Sequence, residues 1–325
     1  MKEDLVTIIM STYKTNVEML NESINSILKQ NYKNIEFIIV CDGDINEYNY
    51  IKKTFHDKRI KLLLNEKNCG LPYSLNLAIE NSKGKYIARM DSDDVSILNR
   101  ISIQKKFMDN NKDIEICGMY TKCFGDSTKK IKYKFIKPKE IEIQMLYIPV
   151  LVHPSVMFRR SFFKNKNLYN EDFKCSQDYE LWARTVNQKN IAVIPKIGLY
   201  YRIHKSQIGQ KKRKIQLENT KLIYEYGLRK VNLPKNDSIK LFQYLYGFEL
   251  LNKKNYIIIS NLIDRLIVSN DYFEDKCLKK IIYNRYMIQM IKSKLYIETL
   301  NKAVLRKIYN FENFKYFVWK IFGRW

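Results

Sequence analysis

Apolar positions in the first hundred residues switch between two periods. The run LVTIIM (5–10) is continuous and of strand length. In NVEMLNESINSILKQ that follows, Val17, Leu20, Ile24, Ile27 and Leu28 recur at helical spacing behind Asn16, a natural N-cap. IEFIIV (35–40) and RIKLLL (59–64) read as a second and a third strand. LPYSLNLAIENS reads as a helix with Pro72 in its first turn and Leu75, Ala78 and Ile79 facing inward. Gly84 breaks the chain before KYIARM, a fourth strand. Strand, helix, strand, strand, helix, strand, with strands apolar on both faces, predicts an α/β domain with a mostly parallel sheet flanked by helices.

Further along, ILNRISIQKKFMDNN predicts a helix and IEICGMY a strand, whereas 131–152 carries no clear period. HPSVMFRR (153–160) reads as a strand leaving a turn. SQDYELWARTVNQ opens a helix with Ser176 at the N-cap and Asp178 as the second helical residue. IAVIPKIGLYYRIH reads as a strand pair. From about 210 onward the pattern is helical and amphipathic, without Gly-rich or Pro-rich linkers, repeats or low-complexity segments.

This order has a chemical consequence. In open α/β sheets, ligands sit in the crevice beyond the carboxyl ends of the strands. Three polar clusters lie just past such ends: Ser11-Thr12-Tyr13, Asp42-Gly43-Asp44 and Asp91-Ser92-Asp93-Asp94. The sheet would gather them at one edge.

Composition narrows the class. The chain has 325 residues, 46% apolar and 28% charged, which suits a globular fold with room for one large domain or two ordinary ones. Six cysteines show no CxxC pair or Cys/His metal spacing, as expected of reduced thiols in a cytoplasmic protein. The start, MKEDLVTIIM, does not read as a signal peptide, and no window approaches 18 apolar residues without a charge.

Charge is unevenly placed. The formal net charge is +24, of which residues 210–325 contribute 24 basic against 10 acidic side chains. An excess of this size points to an anionic partner, nucleic-acid phosphate or a lipid surface. Against that background, three carboxylates within four residues at 91–94 need an explanation. A D-x-D triplet by itself is more often a polar turn than a site. At a strand end beside other polar strand ends, it reads as a place for Mg²⁺ or Mn²⁺, hard cations that take carboxylates together with substrate phosphates. Arg100, one or two helical turns on, reads as a helix-face salt bridge rather than a pocket residue.

VTIIMSTYKTN, SILKQNYKNIEFIIVCDGD, NCGLPYSLNLAIENSKGKYIARMDSDD and LNRISIQ together resemble family 2 glycosyltransferases of the GT-A fold, of the bacterial surface-polysaccharide type. HPSVMFRR, YNEDFKCSQDYELWAR and YYRIHKSQ continue the likeness in the family's order, over roughly residues 5–208. The resemblance implies a Rossmann-like sheet with a nucleotide-sugar half (1–96) and an acceptor half (97–208), followed by a helical, basic region at 209–325. It implies a UDP-sugar donor, inverting hexosyl transfer to a glycan or lipid-linked acceptor, and a divalent metal, Mn²⁺ or Mg²⁺.

By position, Ser11, Thr12 and Tyr13 resemble the segment lining the nucleobase, and Asp42 the carboxylate that contacts uracil or ribose. Asp91 and Ser92 resemble the ribose side of the triplet. Asp93, with Asp91, resembles the metal-binding member and Asp94 its support. His204 matches a position near the donor diphosphate or metal, and His153 and Trp182 lie toward the acceptor. Asp178 resembles the general base, with Gln177 standing where the family commonly has Glu. Independently, an inverting transfer needs a group that takes the acceptor's proton on the face opposite the leaving group. The bland alternative for Asp178 is a helix-first-turn carboxylate, whose pKa the helix dipole would depress.

The last seventeen residues include eight aromatics, among them Phe311, Phe314, Phe322 and Trp325 on one helical face, with Lys320 and Arg324 on another. That pattern suits a helix lying in a membrane interface, each nearby basic residue adding about 1 kcal/mol on anionic lipid. It equally suits packing on the catalytic domain or on a second subunit, which leaves an oligomer open. Two rival classes are weaker. A nucleic-acid-binding protein is favoured only by charge, and the acidic cluster would repel phosphates there without metal. A sugar nucleotidyltransferase would carry a Gly-rich loop after its first strand, and MSTYKTN has no glycine.

Overall fold

The computed structural model describes residues 3–128, 130–131, 137–165, 168–186, 190–204, 213–228, 232–247 and 249–295. The strands are β1 (Val6–Thr12), β2 (Ile35–Asp42), β3 (Ile60–Asn65), β4 (Tyr86–Asp91), β5 (Val95–Ser96), β6 (Ile116–Gly125), β7 (Lys130–Ile131), β8 (Met157–Arg159) and β9 (Ile191–Ile203). The helices are α1 (Val17–Leu28), α2 (Ile45–Thr54), α3 (Leu71–Glu80), α4 (Arg100–Asn110), α5 (Pro138–Met145), α6 (Gln177–Thr185), α7 (Arg213–Leu228), α8 (Lys235–Tyr246), α9 (Tyr256–Val268) and α10 (Asp275–Lys292).

The strands form one nine-stranded sheet in the order β3-β2-β1-β4-β8-β6-β9-β5, with β7 paired to β6. β3, β2, β1 and β4 run parallel, so the ends of β1 and β4, neighbours in register from Val6/Tyr86 to Ser11/Asp91, open at the same edge. The chain leaves β1 toward β2 on one side and returns to β4 on the other. This reversal of strand order is where α/β sheets bind ligands.

The pleat sorts β4 onto two faces. Tyr86, Ala88 and Met90 join the core with Leu20, Ile24 and Ile27 of α1 and Ile101 and Met108 of α4. Fully burying each such aliphatic side chain stabilises the fold by about 1.5–3 kcal/mol. Arg89 and Asp91 therefore belong to the opposite face.

α1 starts as its sequence predicts: the Asn16 side chain accepts from the backbone amides of Glu18 and Met19. α3 carries Pro72 in its first turn and buries Leu75, Ala78 and Ile79. Three expectations need correction. α2, between β2 and β3, is absent from the predicted order, because its sparse apolar positions leave only Glu47 and Ile51 buried. The predicted strand pair at 191–203 is one strand, which passes Pro195 at an exposed position and shifts register against β6 between Met119 and Thr121. Arg100 makes no helix-face salt bridge. It is wholly buried, and its guanidinium donates to the Arg89 carbonyl at 2.8 Å, the Val156 carbonyl at 3.2 Å and Gln104 Oε1 at 2.9 Å. Burial lowers its pKa to about 10, so it still enters the core charged, as a clamp between β4 and the turn before β8.

The chain divides into two compact units, Met1–Pro138 with Pro149–Thr220, and Lys139–Ile148 with Lys221–Trp325. The first holds the sheet. In the second, α8, α9 and α10 pack on one another, and Glu140 and Glu142 of α5 accept from Lys280 and Tyr272. The predicted aromatic helix at 309–325 lies outside the described residues.

Candidate active site

At the end of β1, Thr12 is 1% exposed and its hydroxyl donates to Glu47 Oε1 at 2.7 Å. The same carboxylate oxygen accepts the Thr15 backbone amide at 3.0 Å, and Thr15 Oγ1 lies 2.8 Å from Ser92 Oγ. Thus Thr12 and Ser92 are joined, through Thr15, in a hydroxyl chain that ties the β1–α1 turn to the acidic loop. Burial raises the pKa of Glu47 and leaves its Oε2 without a partner. Of the predicted nucleobase segment, Tyr13 is the open member, 45% exposed, with Lys14 Nζ 5.3 Å from its ring centre.

Asp42, at the end of β2, is almost fully buried. Its Oδ1 accepts from Asn65 Nδ2 and the Cys69 amide, each at 2.8 Å, and its Oδ2 from the Gly70 amide at 2.9 Å. Both oxygens are engaged in shaping the loop that leads into α3. Gly43 beside it has φ +81, and a Cβ there would lie 2.3 Å from the Asn68 nitrogen.

The triplet is clamped from two directions. Arg89 Nη2 pairs with Asp91 Oδ1. From β9, the Arg202 amide donates to Asp94 Oδ1 at 2.8 Å and Arg202 Nε to the Asp93 carbonyl at 2.6 Å. His204 Nε2 lies 2.8 Å from Asp93 Oδ2. One carboxylate oxygen from each of Asp91, Asp93 and Asp94 lies within 4.8 Å of the others. Burial, then the like charge of Asp91, raises the pKa of both Asp93 and Asp94, and Asp94 Oδ2 is buried with no partner. Three convergent hard oxygen donors, mutually repelling and incompletely bonded, fit Mg²⁺ or Mn²⁺.

A second wall faces Arg89. Asn76 on α3 grips the segment before α6: its Nδ2 donates to the Tyr169 carbonyl and its Oδ1 accepts the Tyr169 amide, both at 2.9 Å. Tyr169 Oη lies 2.7 Å from His153 Nε2. His153 is buried beside Trp182, and burial with the Arg89 charge holds its pKa well below the usual value, so it is neutral. Trp182 stacks on Phe158 at 5.7 Å and Gln177 is likewise buried; both build the wall.

Asp178 is the second residue of α6, as predicted, behind Ser176, which sits at the N-cap with φ 62 and makes no side-chain cap bond. Its pKa is raised by burial, against the lowering effect of the Tyr179 amide and of Arg89. The expected depression by the helix terminus is therefore outweighed by desolvation. The charges of Arg89 and Asp91 both act on the same carboxyl, in opposite directions.

Arg89, Glu47 and Arg202 escaped the sequence reading. The signal for Arg89 was an arginine within an otherwise apolar strand; for Glu47, an acid three residues after the helix-capping Asp44. Arg202 carries no such signal. A separate groove of about 750 Å³ lies along α1 and β5, lined in part by Glu22, Leu98, Lys122, Phe124 and Tyr200. None of the predicted site residues lines it. The clustered carboxylates lie at the strand ends instead.

The family model for glycosyl transferase family 2 matches residues 7–165. An uncharacterized glycosyltransferase of Methanocaldococcus jannaschii, MJ1057, is 37% identical over 210 residues, 62% of this chain and 72% of that one. The Escherichia coli UDP-Glc:alpha-D-GlcNAc-diphosphoundecaprenol beta-1,3-glucosyltransferase WfgD is 34% identical over 221 residues, 66% of this chain and 83% of its own. Among solved structures, S. aureus TarS 1-349 in complex with UDP matches with a TM-score of 0.59 at 16% identity, covering 93% of this chain and 88% of that one. At that identity the likeness establishes the fold, the GT-A α/β architecture.

Proposed function

The chain belongs to glycosyl transferase family 2, and from that membership we propose that it moves a sugar from a UDP-sugar to a hydroxyl of a lipid-linked or other surface glycan, with inversion at the anomeric carbon. One observation carries the reading. The Asp91, Asp93 and Asp94 carboxylates converge within 4.8 Å of one another at the end of β4, and the charges of Asp91 and Arg89 bear on Asp178 at the start of α6, which supports pairing a diphosphate site with a base.

The residues divide the work. Tyr13, the open member of the β1 turn, offers a ring face to the uracil, while Thr12 and Asp42 act from beneath by fixing the turn and the loop that frame it. Asp91, Asp93 and Asp94 would hold Mn²⁺ or Mg²⁺, with His204 orienting Asp93 through their contact. A bound cation supplies Lewis-acid neutralisation of the departing diphosphate. Asp178 takes the proton from the acceptor hydroxyl as it attacks, and a raised pKa makes its carboxylate a stronger base than a free aspartate. His153, neutral and bonded to Tyr169, holds the acceptor wall in place.

The acceptor class is drawn from WfgD, a relative named for its use of UDP-Glc and a diphosphoundecaprenol-linked sugar. Among the described residues no helix is long and apolar enough to cross a membrane. A peripheral place at the inner membrane face, held by the basic C-terminal region, is therefore part of the proposal. Titration calorimetry of UDP, GDP and dTDP in the presence of Mn²⁺ tests the donor class. UDP binding tighter than the other two supports it; binding of none of them contradicts it.

A further inference from the structure

Arg89 is 2% exposed and among the largest buried side chains of the protein. Of its side-chain nitrogens, only Nη2 has a partner among the described residues: it pairs with Asp91, whereas Nε and Nη1 are buried without an acceptor. A buried guanidinium left with unmet donors is costly unless something fills them. The carboxylates whose charges bear on it are Asp91 and Asp94, and its own charge bears on Asp178 and His153. Arg89 thus bridges the acidic loop and the second wall: its guanidinium pairs with Asp91, and its backbone amide donates to the Val156 carbonyl at 3.0 Å, just past the turn that carries His153.

The reaction fixes what must occupy that interval. In a displacement at an anomeric carbon, the leaving diphosphate and the attacking hydroxyl approach opposite faces of one sugar ring. The ring therefore lies between the triplet and Asp178. We infer that Arg89 is a donor-sugar contact: with Nη2 held by Asp91, its Nε–H and Nη1–H donate to oxygens of the sugar being transferred. The inference rests on the UDP-sugar reading of the site. Arginine suits the role because its fork is rigid and always charged, so one edge can fix Asp91 while the rest faces the ligand. The same geometry makes Arg89 a specificity residue, since a sugar without an oxygen at that point leaves both donors unmet.

The test separates the sugar from the nucleotide. With Mn²⁺ present, the affinities of UDP and of UDP-glucose, UDP-galactose and UDP-N-acetylglucosamine are measured for the wild-type protein and for Arg89→Lys. The lysine keeps a cation beside Asp91 but lacks the second edge. The expected result is UDP affinity within about threefold of wild type and affinity for the best UDP-sugar reduced about 10- to 100-fold, the range for losing hydrogen bonds to a charged group. Equal weakening of both ligands, or none of either, overturns the inference and leaves Arg89 as the holder of Asp91. If Arg89→Lys does not fold, a crystal structure of the wild-type complex with Mn²⁺ and that UDP-sugar decides: a sugar oxygen within about 3.2 Å of Nε or Nη1 supports the inference, and its absence overturns it. A wild-type protein that binds UDP without any gain from the sugar overturns the inference alone. One that binds neither overturns the functional reading, and the inference with it.

Discussion

His204 Nε2 lies 2.8 Å from Asp93 Oδ2, joining two residues 111 positions apart. The contact links the end of β9 to the acidic loop and fixes the rotamer of the carboxylate proposed to hold the cation. Outer partners of this kind tune metal affinity by about 10- to 100-fold. His204→Ala is expected to raise the Mn²⁺ concentration for half-maximal nucleoside-diphosphate release about tenfold or more, with little change at saturating Mn²⁺. A metal titration of activity reads this directly; an unchanged midpoint would remove His204 from the account.

Asp178 supplies a pH prediction whose sign follows from its environment. Burial raises its folded pKa above the unfolded value, so the folded state favours the protonated carboxyl. Any stability linked to that proton is complete below the unfolded pKa and lost as pH rises through the folded one. Asp178→Asn, which stays neutral, is expected to melt higher than wild type near pH 7, and the gap should close as pH falls. Melting curves across pH 4–8 test it. In the wild-type enzyme the acid limb of kcat should lie at higher pH than a free aspartate would give.

Gly43 is a stability prediction. Its φ of +81 and the 2.3 Å approach of a built Cβ to the Asn68 nitrogen leave no room for a side chain. Gly43→Ala is expected to cost more than about 1 kcal/mol and to loosen the loop that Asp42 organises. The urea midpoint and the UDP affinity should fall together. A variant with both unchanged would mean that the loop does not need this conformation.

Arg100 was read from the sequence as a surface ion pair, and the structure makes it a core clamp on two backbone carbonyls. Arg100→Leu leaves those carbonyls and Gln104 short of a donor, at about 1–3 kcal/mol for each buried group. Chemical denaturation should show a loss of that order. A neutral change would mean the carbonyls find other partners.

The sheet was legible where local and global signals agree. β1, β2 and β4 are continuous apolar runs, and Asn16 and Pro72 mark their helices, so the strand ends and their polar clusters could be located before any contact was known. α2 was not legible, because INEYNYIKKT rests on the sheet through few apolar positions and its most telling residue, Glu47, is buried for a hydrogen-bonding reason that periodicity does not encode. The stretch read as a strand pair is one strand, because Pro195 falls at an exposed position that a strand tolerates. Asp178 could be placed in the first turn of its helix, but the direction of its pKa could not be read: helix position predicts a depression, and desolvation wins. Arg89 and Arg202 draw their meaning from partners that only the tertiary fold supplies.

The most direct test of the central claim is turnover. Wild type and Asp178→Asn are assayed side by side for nucleoside-diphosphate release from a panel of nucleotide sugars, with Mn²⁺ and a polyprenyl-diphosphate-linked sugar as acceptor. The account predicts release by wild type from at least one UDP-sugar, and a loss of about 10²- to 10⁴-fold in Asp178→Asn with donor affinity retained. No release from any donor by wild type, or normal turnover by Asp178→Asn, would contradict it.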